Sequence, residues 1–429
     1  MAARSRTLAP PKPPAPRATV TVVEVLRPGE GALPVRRRRQ GSEGRDAGRL
    51  AELLTALVPE DGARVLELNF RKALEALAPA SVAAIAGDLG CYAAFCDVSR
   101  RAGLPASEAT VVAWVEHLEG RGLKPATVAR RLSSLASAHA LLGVPTPTNA
   151  IVVRHALKGF KRRAGTVQRQ ALGLRFGDDD ASLGTGGGLT FSALLAACET
   201  DCRGLRDAAL LSLGYDAGLR VSELVAVEIE HLELDSNGSG LLLIPRAKTD
   251  QDGHGAYAWV SPDTMRRLDA WKHASGLASG ILFRRIAIER RAAIKAEPSR
   301  SIADLAPNAH IDWKRMRARH DEPARVRYKI GTTPLTRQGV NLIYRSMARR
   351  AAELGMVSLL GAELDAAISA LSTHSLRVGL AQDLFAAGEG VGPIAQALRW
   401  QSTTTALRYA RKLAPKANAA ARVLGKVRT

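Results

Sequence analysis

The sequence predicts a mainly α protein with a small β-hairpin (α+β), arranged as two domains. Three observations predict it. Apolar residues recur at helical spacing over most of the chain after Ala51. One pair of short apolar runs, Gly240–Pro245 and Ala256–Val260, is separated by a polar, turn-rich stretch and reads as a hairpin. Between Gly165 and Leu189 the periodicity breaks at Gly173, Gly177, Asp178–Asp180 and Gly184–Gly188, so that segment reads as a flexible linker. At about 100–200 residues per domain, 429 residues accommodate this division.

Taken in order, residues 1–50 read as a disordered basic arm. Prolines crowd Pro10–Pro16, Arg36–Arg39 form a run of four, and eleven basic residues face four acidic ones. A short strand over Val20–Leu26 is compatible with that reading. Residues 51–164 read as a helical domain. Its helices cover Leu66–Leu77, Ser81–Val98, Ser107–Leu118 behind a Ser107 cap, Pro125–Leu142 with proline in the first turn and Gly143 at the end, and Asn149–Phe160. Residues 165–189 form the linker. A second domain over 190–429 opens with helices Phe191–Thr200 and Arg203–Ala217, continues through the hairpin and ends in a helix at 413–429. Arg284–Thr333 reads as a charged, irregular insertion.

Composition narrows the function. Against 41 Asp plus Glu stand 61 Lys plus Arg, a formal charge of +20, which attracts polyanions and favours a nucleic-acid partner. An acidic membrane surface, or plain solubility, is the ordinary alternative. Aromatic residues make up only 4%, which speaks against a base-stacking platform for single strands. No apolar run reaches the ~18 residues that span a bilayer, and no secretory leader is apparent, so a cytoplasmic protein is expected. Cys91, Cys96, Cys198 and Cys202 are too few for a disulfide scaffold and miss the zinc-site spacing.

Four local patterns carry chemistry. In Gly218-Leu-Arg220-Val-Ser-Glu223, the guanidinium offers a fork suited to phosphate, and Glu223 lies one turn on. Lys248 sits on the turn of the hairpin, where its amine can donate a proton. In Thr373-His374-Ser-Leu-Arg377, the i, i+3 spacing puts His374 and Arg377 on one helix face, with Ser372 or Thr373 as a cap. Trp400 precedes Thr403–Lys412, where Tyr409 lies among Arg408, Arg411 and Lys412, cations that favour its phenolate. Each alone has an ordinary reading: a surface salt bridge, a solvated lysine, an amphipathic tyrosine.

In this order, Arg220, Lys248, His374-x-x-Arg377, Trp400 and Tyr409 resemble the active-site set of the tyrosine recombinases, or phage integrase family, and are most similar to the Cre-type site-specific recombinases. The resemblance spans roughly Leu66–Lys426. It implies a two-domain C-shaped clamp, with the helical unit as core-binding domain and the remainder as catalytic domain. It also implies a site-specific DNA recombinase that cuts and rejoins duplex DNA at a recombination site through a 3′-phosphotyrosine. Tyr409 would be the nucleophile, Arg220 and Arg377 the phosphate clamp, and His374 and Trp400 hydrogen-bonding partners, with Lys248 as general acid and Glu223 as orienter. No metal, cofactor or ATP is expected, since no carboxylate cluster or Walker-type loop is present. A homotetramer on two sites, docked through the C-terminal helix, follows from the family; the chain is silent on accessory proteins. Lys124, Thr127, Arg130 and Arg131, near one helix start, and Lys161, Arg162 and Arg163, near the end of another, are candidate DNA contacts. Two other readings stand beside this one: a type IB topoisomerase, which shares the chemistry, and a DNA-binding protein without catalysis.

Overall fold

A computed structural model describes residues 21–27, 42–59, 67–166, 170–177, 188–245, 255–299, 302, 310 and 318–409. The chain divides into two compact units. One comprises Val35–Arg169; the other combines Met1–Pro34 with Gln170–Thr429.

The first unit is all-helical: α1 (Ser42–Leu57), α2 (Glu67–Ala76), α3 (Pro79–Ser99), α4 (Glu108–Gly120), α5 (Pro125–Leu141) and α6 (Ile151–Ala164). Its helix ends follow local chemistry. Ser107 accepts from the Thr110 amide at the start of α4, Pro125 opens α5, and Gly143 follows α5 at φ 69°. Among the described helices only α3 is long and apolar enough to cross a membrane by length and composition. Here its Leu89, Tyr92 and Phe95 are core residues, packed with Leu54, Trp114, Leu118 and Leu135. Buried His139 is held in one tautomer, its Nδ1 donating to Leu135 O at 2.8 Å and its Nε2 accepting from the Ala106 amide at 3.0 Å.

The second unit starts with α7 (Phe191–Ala196), α8 (Cys202–Asp216) and the single-turn α9 (Val221–Leu224). Strands β2 (Leu232–Leu234), β3 (Gly240–Ile244) and β4 (Ala256–Val260) form an antiparallel sheet in that order, so the predicted hairpin is present with one added strand. After α10 (Pro262–Ser275) come β5 (Arg284–Arg291) and β6 (Ala324–Pro334), followed by α11 (Arg337–Glu353), α12 (Gly361–Ala370), α13 (Ser375–Ala386), α14 (Val391–Ala397) and α15 (Thr403–Tyr409). Apolar side chains of α8, α10 and α11, among them Leu210, Leu213, Trp271 and Tyr344, fill the main core.

Three expectations change. The disordered basic arm assigned to residues 1–50 contains β1 (Thr21–Leu26) and the start of α1. β1 adds to β6 in parallel, Thr21 opposite Ala324 and Leu26 opposite Lys329, because its β-branched residues pair there and Val25 packs on the core. The irregular insertion at Arg284–Thr333 holds β5 and β6, paired antiparallel, Tyr328 opposite Ile288. In β6, Arg325, Arg327 and Lys329 alternate with Val326, Tyr328 and Ile330, a period of two that the segment's charge density obscures. The linker over 165–189 is, in its described part, a strap on the second unit. Leu174 is fully buried and its amide donates to Ser375 O at 2.9 Å, while Arg175 Nε donates to Asp383 at 2.6 Å. Gly379 is where the strap crosses α13; a Cβ there would collide with Leu174 O.

Candidate active site

Two chain turns in the second unit face each other. The first follows α8, where Gly218, at φ 51°, turns the chain toward Arg220. Arg220 precedes α9, and Glu223 in its first turn accepts from the Arg220 amide at 2.9 Å and from Arg220 Nη1 at 2.7 Å. The i, i+3 pair seen in the sequence is therefore a closed ring of contacts. Burial alone would raise the Glu223 pKa, but the two Arg220 hydrogen bonds and the Arg399 charge hold it below the usual carboxylate range.

The second turn joins α14 to α15 and carries Leu398, Arg399 and Trp400. Arg377, in the first turn of α13, connects the two: Nη1 donates to Gly218 O and Nη2 to Leu398 O. Its side chain is fully buried, and its guanidinium carbon lies 5.4 Å from the centre of the Trp400 ring. Burial, with Arg220 and Arg399 close by, pulls the Arg377 pKa down to about 9, so it remains a cation at neutral pH. Of its five N–H groups, two are committed to these carbonyls.

His374 and Tyr409 complete the group. His374 caps α13, its amide donating to Ser372 Oγ at 3.2 Å, which makes Ser372 the local anchor. Its Nε2 lies 2.7 Å from the Tyr409 hydroxyl. Tyr409 stacks on Trp400 with ring centres 4.8 Å apart and planes 12° from parallel, and both rings lean on a small separate core of Ala381, Ile394, Leu398 and Ala406. That core, contributed by α13, α14 and α15, aims the tyrosine. Burial, then Arg377 and Arg220, lowers the His374 pKa, so the imidazole is neutral at neutral pH. For Tyr409 the expectation is reversed: burial raises the phenol pKa and outweighs the pull of Arg377, Arg220 and Arg408. The phenolate is not favoured in the free protein, and the proton needs an acceptor.

Arg220, Glu223, His374, Arg377, Trp400 and Tyr409 are thus brought together from the six-residue part of the predicted set that is described; Lys248 lies outside the described residues, as does the helix at 413–429. Arg399 was missed. Its guanidinium donates to Ala217 O at 2.8 Å, to Gly218 O at 3.4 Å and to Glu223 Oε2 at 3.3 Å. Among so many arginines, only its place beside Trp400 could have marked it. Asp383 was missed as well; it accepts from Arg175, from the Phe176 amide at 2.7 Å and from the Tyr215 hydroxyl, fixing α13. Among the described residues no three His, Cys, Asp or Glu side chains converge as a metal site.

The candidate DNA contacts in the first unit separate into two groups. Lys124, at the start of α5, and Lys161 and Arg162, at the end of α6, are exposed, and Thr127 is half-buried. The others are committed within the unit. Arg130 pairs with Asp88 through both terminal nitrogens, Arg131 Nε lies 3.6 Å from the same carboxylate, and Arg163 grips Glu119 at 2.7 and 2.8 Å. The Arg131 side chain is only 16% exposed, against 51% for Arg130, so Arg131 faces inward.

No family model matches the chain. The likeness is to curated relatives. Over 341 residues, 78% of this chain and 84% of the other, it is 24% identical to the recombinase Cre of Escherichia phage P1. By sequence the chain is similar to the tyrosine recombinases. To a XerD integrase/recombinase homologue of Selenomonas ruminantium it is 29% identical over 233 residues, 52% of this chain and 64% of the other. A XerH recombinase solved on its difH substrate aligns over 89% of this chain and 94% of itself, at 12% identity and a TM-score of 0.37; the likeness rests on sequence.

Proposed function

We propose that this recombinase cleaves and rejoins duplex DNA at specific sites through a 3′-phosphotyrosine intermediate, with Tyr409 as nucleophile and without metal ion or ATP. The observation that carries the proposal is the 2.7 Å contact between His374 Nε2 and the Tyr409 hydroxyl, beside two arginines. A phenol whose pKa is raised is a poor nucleophile until a base takes its proton, and a neutral imidazole in hydrogen-bonding reach is that base. As the Tyr409 oxygen bonds to phosphorus, its proton passes to His374 and the bond from phosphorus to the 5′-oxygen breaks. The leaving oxygen takes a proton from Lys248. Arg220 and the uncommitted N–H groups of Arg377 meet the charge that develops on the non-bridging oxygens. The phosphotyrosine conserves the energy of the broken bond, so the reverse attack by a 5′-hydroxyl reseals a strand without ATP.

DNA is the substrate and the partner. We assign phosphate contacts in the first unit to Lys124, Thr127, Lys161 and Arg162. Arg130, already paired but half-exposed, contributes by exchanging Asp88 for a phosphate. The segment after Lys412 is assigned to docking between subunits of a tetramer on two sites; truncation there should spare binding to a single site and abolish pairing of two.

The test is covalent trapping on a nicked duplex, whose sequence is first selected by the wild-type chain from random DNA. The wild type should yield a protein–DNA adduct that survives denaturation. Tyr409→Phe should bind the duplex with unchanged affinity and yield none. An adduct from Tyr409→Phe removes Tyr409 from this role.

A further inference from the structure

Only two non-glycine residues among those described have a left-handed backbone, Arg100 at φ 50° and Arg399 at φ 53°. Both lie just after a helix, at the position where glycine is the usual residue because a Cβ strains that conformation. They differ in what the side chain does. Arg100 is exposed at the end of α3 and makes no polar side-chain contact with a described residue. The Arg399 side chain is 9% exposed, and its guanidinium donates to three acceptors between Ala217 and Glu223, the stretch that carries Arg220. Its own backbone carries Trp400 next in sequence, with the Trp400 amide donating to Ala395 O at 2.8 Å.

We infer that Arg399 is a positioning residue for strand cleavage, a strap that holds the Trp400 turn against the Arg220 turn. It acts through two residues. Glu223 is gripped from one side by Arg220 and from the other by Arg399, which fixes the carboxylate and, through it, the Arg220 fork. Gly218 O accepts from both Arg377 and Arg399, so the chain turn is pinned at a carbonyl as well. The arrangement has an electrostatic consequence. Two guanidinium groups bond one carboxylate and a third, that of Arg377, lies close by, an excess of positive charge inside a largely closed site, and burial lowers the Arg399 and Arg377 pKa values. A helix end that needed only a left-handed residue would be served by glycine. Arginine here adds strain and repulsion, and what it supplies in return is the strap and a field for a phosphate. Lysine could not replace it, since a point charge cannot bridge three acceptors in one plane.

The inference rests on the proposed cleavage chemistry, and the experiment separates the two. Single-turnover cleavage of the nicked duplex selected by the wild-type chain would be measured for wild type, Arg399→Gly, Arg399→Lys and Glu223→Gln, with site affinity and melting temperature for each. Arg399→Gly relieves the backbone, so its melting temperature should stay within about 4 °C of wild type. Its affinity for the duplex should change by less than threefold. Its cleavage rate should fall roughly 10- to 100-fold, the scale of a displaced catalytic group. Arg399→Lys should be slow as well, and Arg399→Gly should cost little more in a Glu223→Gln background. Three results would each overturn the strap: Arg399→Gly cleaving like wild type, Arg399→Lys cleaving like wild type, or a rate loss matched by equal losses of affinity and melting temperature. If the wild type itself forms no adduct, the cleavage reading fails instead.

Discussion

Arginines in the two units of this protein meet carboxylates on different terms. In the helical unit, buried Asp88 accepts from Arg130 and, at 2.7 Å, from the Ser134 hydroxyl, with Arg131 close by; Arg163 has Glu119 to itself. These contacts join α3 to α5 and α4 to α6. In the other unit, Arg220 and Arg399 share the single carboxylate of Glu223, while Arg377 and Arg399 donate to main-chain carbonyls. The first arrangement uses arginine to lock helices, with charge largely balanced. The second leaves charge in excess next to a half-buried tyrosine. On the proposed chemistry, the same residue type is structural where it is neutralised and catalytic where it is not.

The comparison can be broken at several points, in descending order of effect. Removing excess charge from the site should cost the most. Arg220→Ala should lower the cleavage rate by about 10²–10³, a loss of ~3–4 kcal/mol of transition-state stabilisation, while affinity for the duplex falls much less. Equal losses in rate and affinity would make Arg220 a binding residue only. Breaking the structural lock should show in stability instead. Asp88→Ala leaves Arg131 without its neighbouring carboxylate and Ser134 without an acceptor, and should destabilise by ~1–3 kcal/mol, discounted because Arg130 can turn to water. Denaturant unfolding would read it, and an unchanged midpoint would end the distinction.

A smaller effect follows from His374. Its pKa is lowered on folding, so protonation opposes the native state. The linked stability is fully present above pH ~6.5, the unfolded value, and declines as pH falls below it. Cleavage should have its acid limb in the same region, below pH ~6.5, and a single-turnover pH profile checks this. A limb lying above that pH would mean a histidine stabilised as the cation. Smallest of all, Lys161→Ala should leave melting unchanged and reduce the slope of log affinity against log salt by ~0.9, one phosphate contact. An unchanged slope would take Lys161 off the DNA.

Much of this was legible in the sequence, for reasons that differ by residue. Glu223 and Arg220 are one helical turn apart, so their contact is local and spacing alone foretells it. His374 and Tyr409 are 35 residues apart, and only the ordered set around them pointed to a common site. The helices of the first unit announced themselves through caps, as at Ser107 and Pro125. Long-range events were hidden. Nothing local tells that Thr21–Leu26 will pair with a strand three hundred residues on, or that Leu174 will be buried against α13. The charge of β6 masked an alternation that was there to be read. The Tyr409 pKa went the other way because nearby arginines are visible in sequence and burial is not.

The most direct measurement is the position of the covalent bond. The wild-type protein trapped on its selected nicked duplex would be digested with protease and nuclease, and the residue bearing the nucleotide remnant identified by mass spectrometry. The account predicts a single modified peptide, with the remnant joined through its 3′-phosphate to Tyr409. A remnant on any other residue, or one joined through a 5′-phosphate, would contradict it.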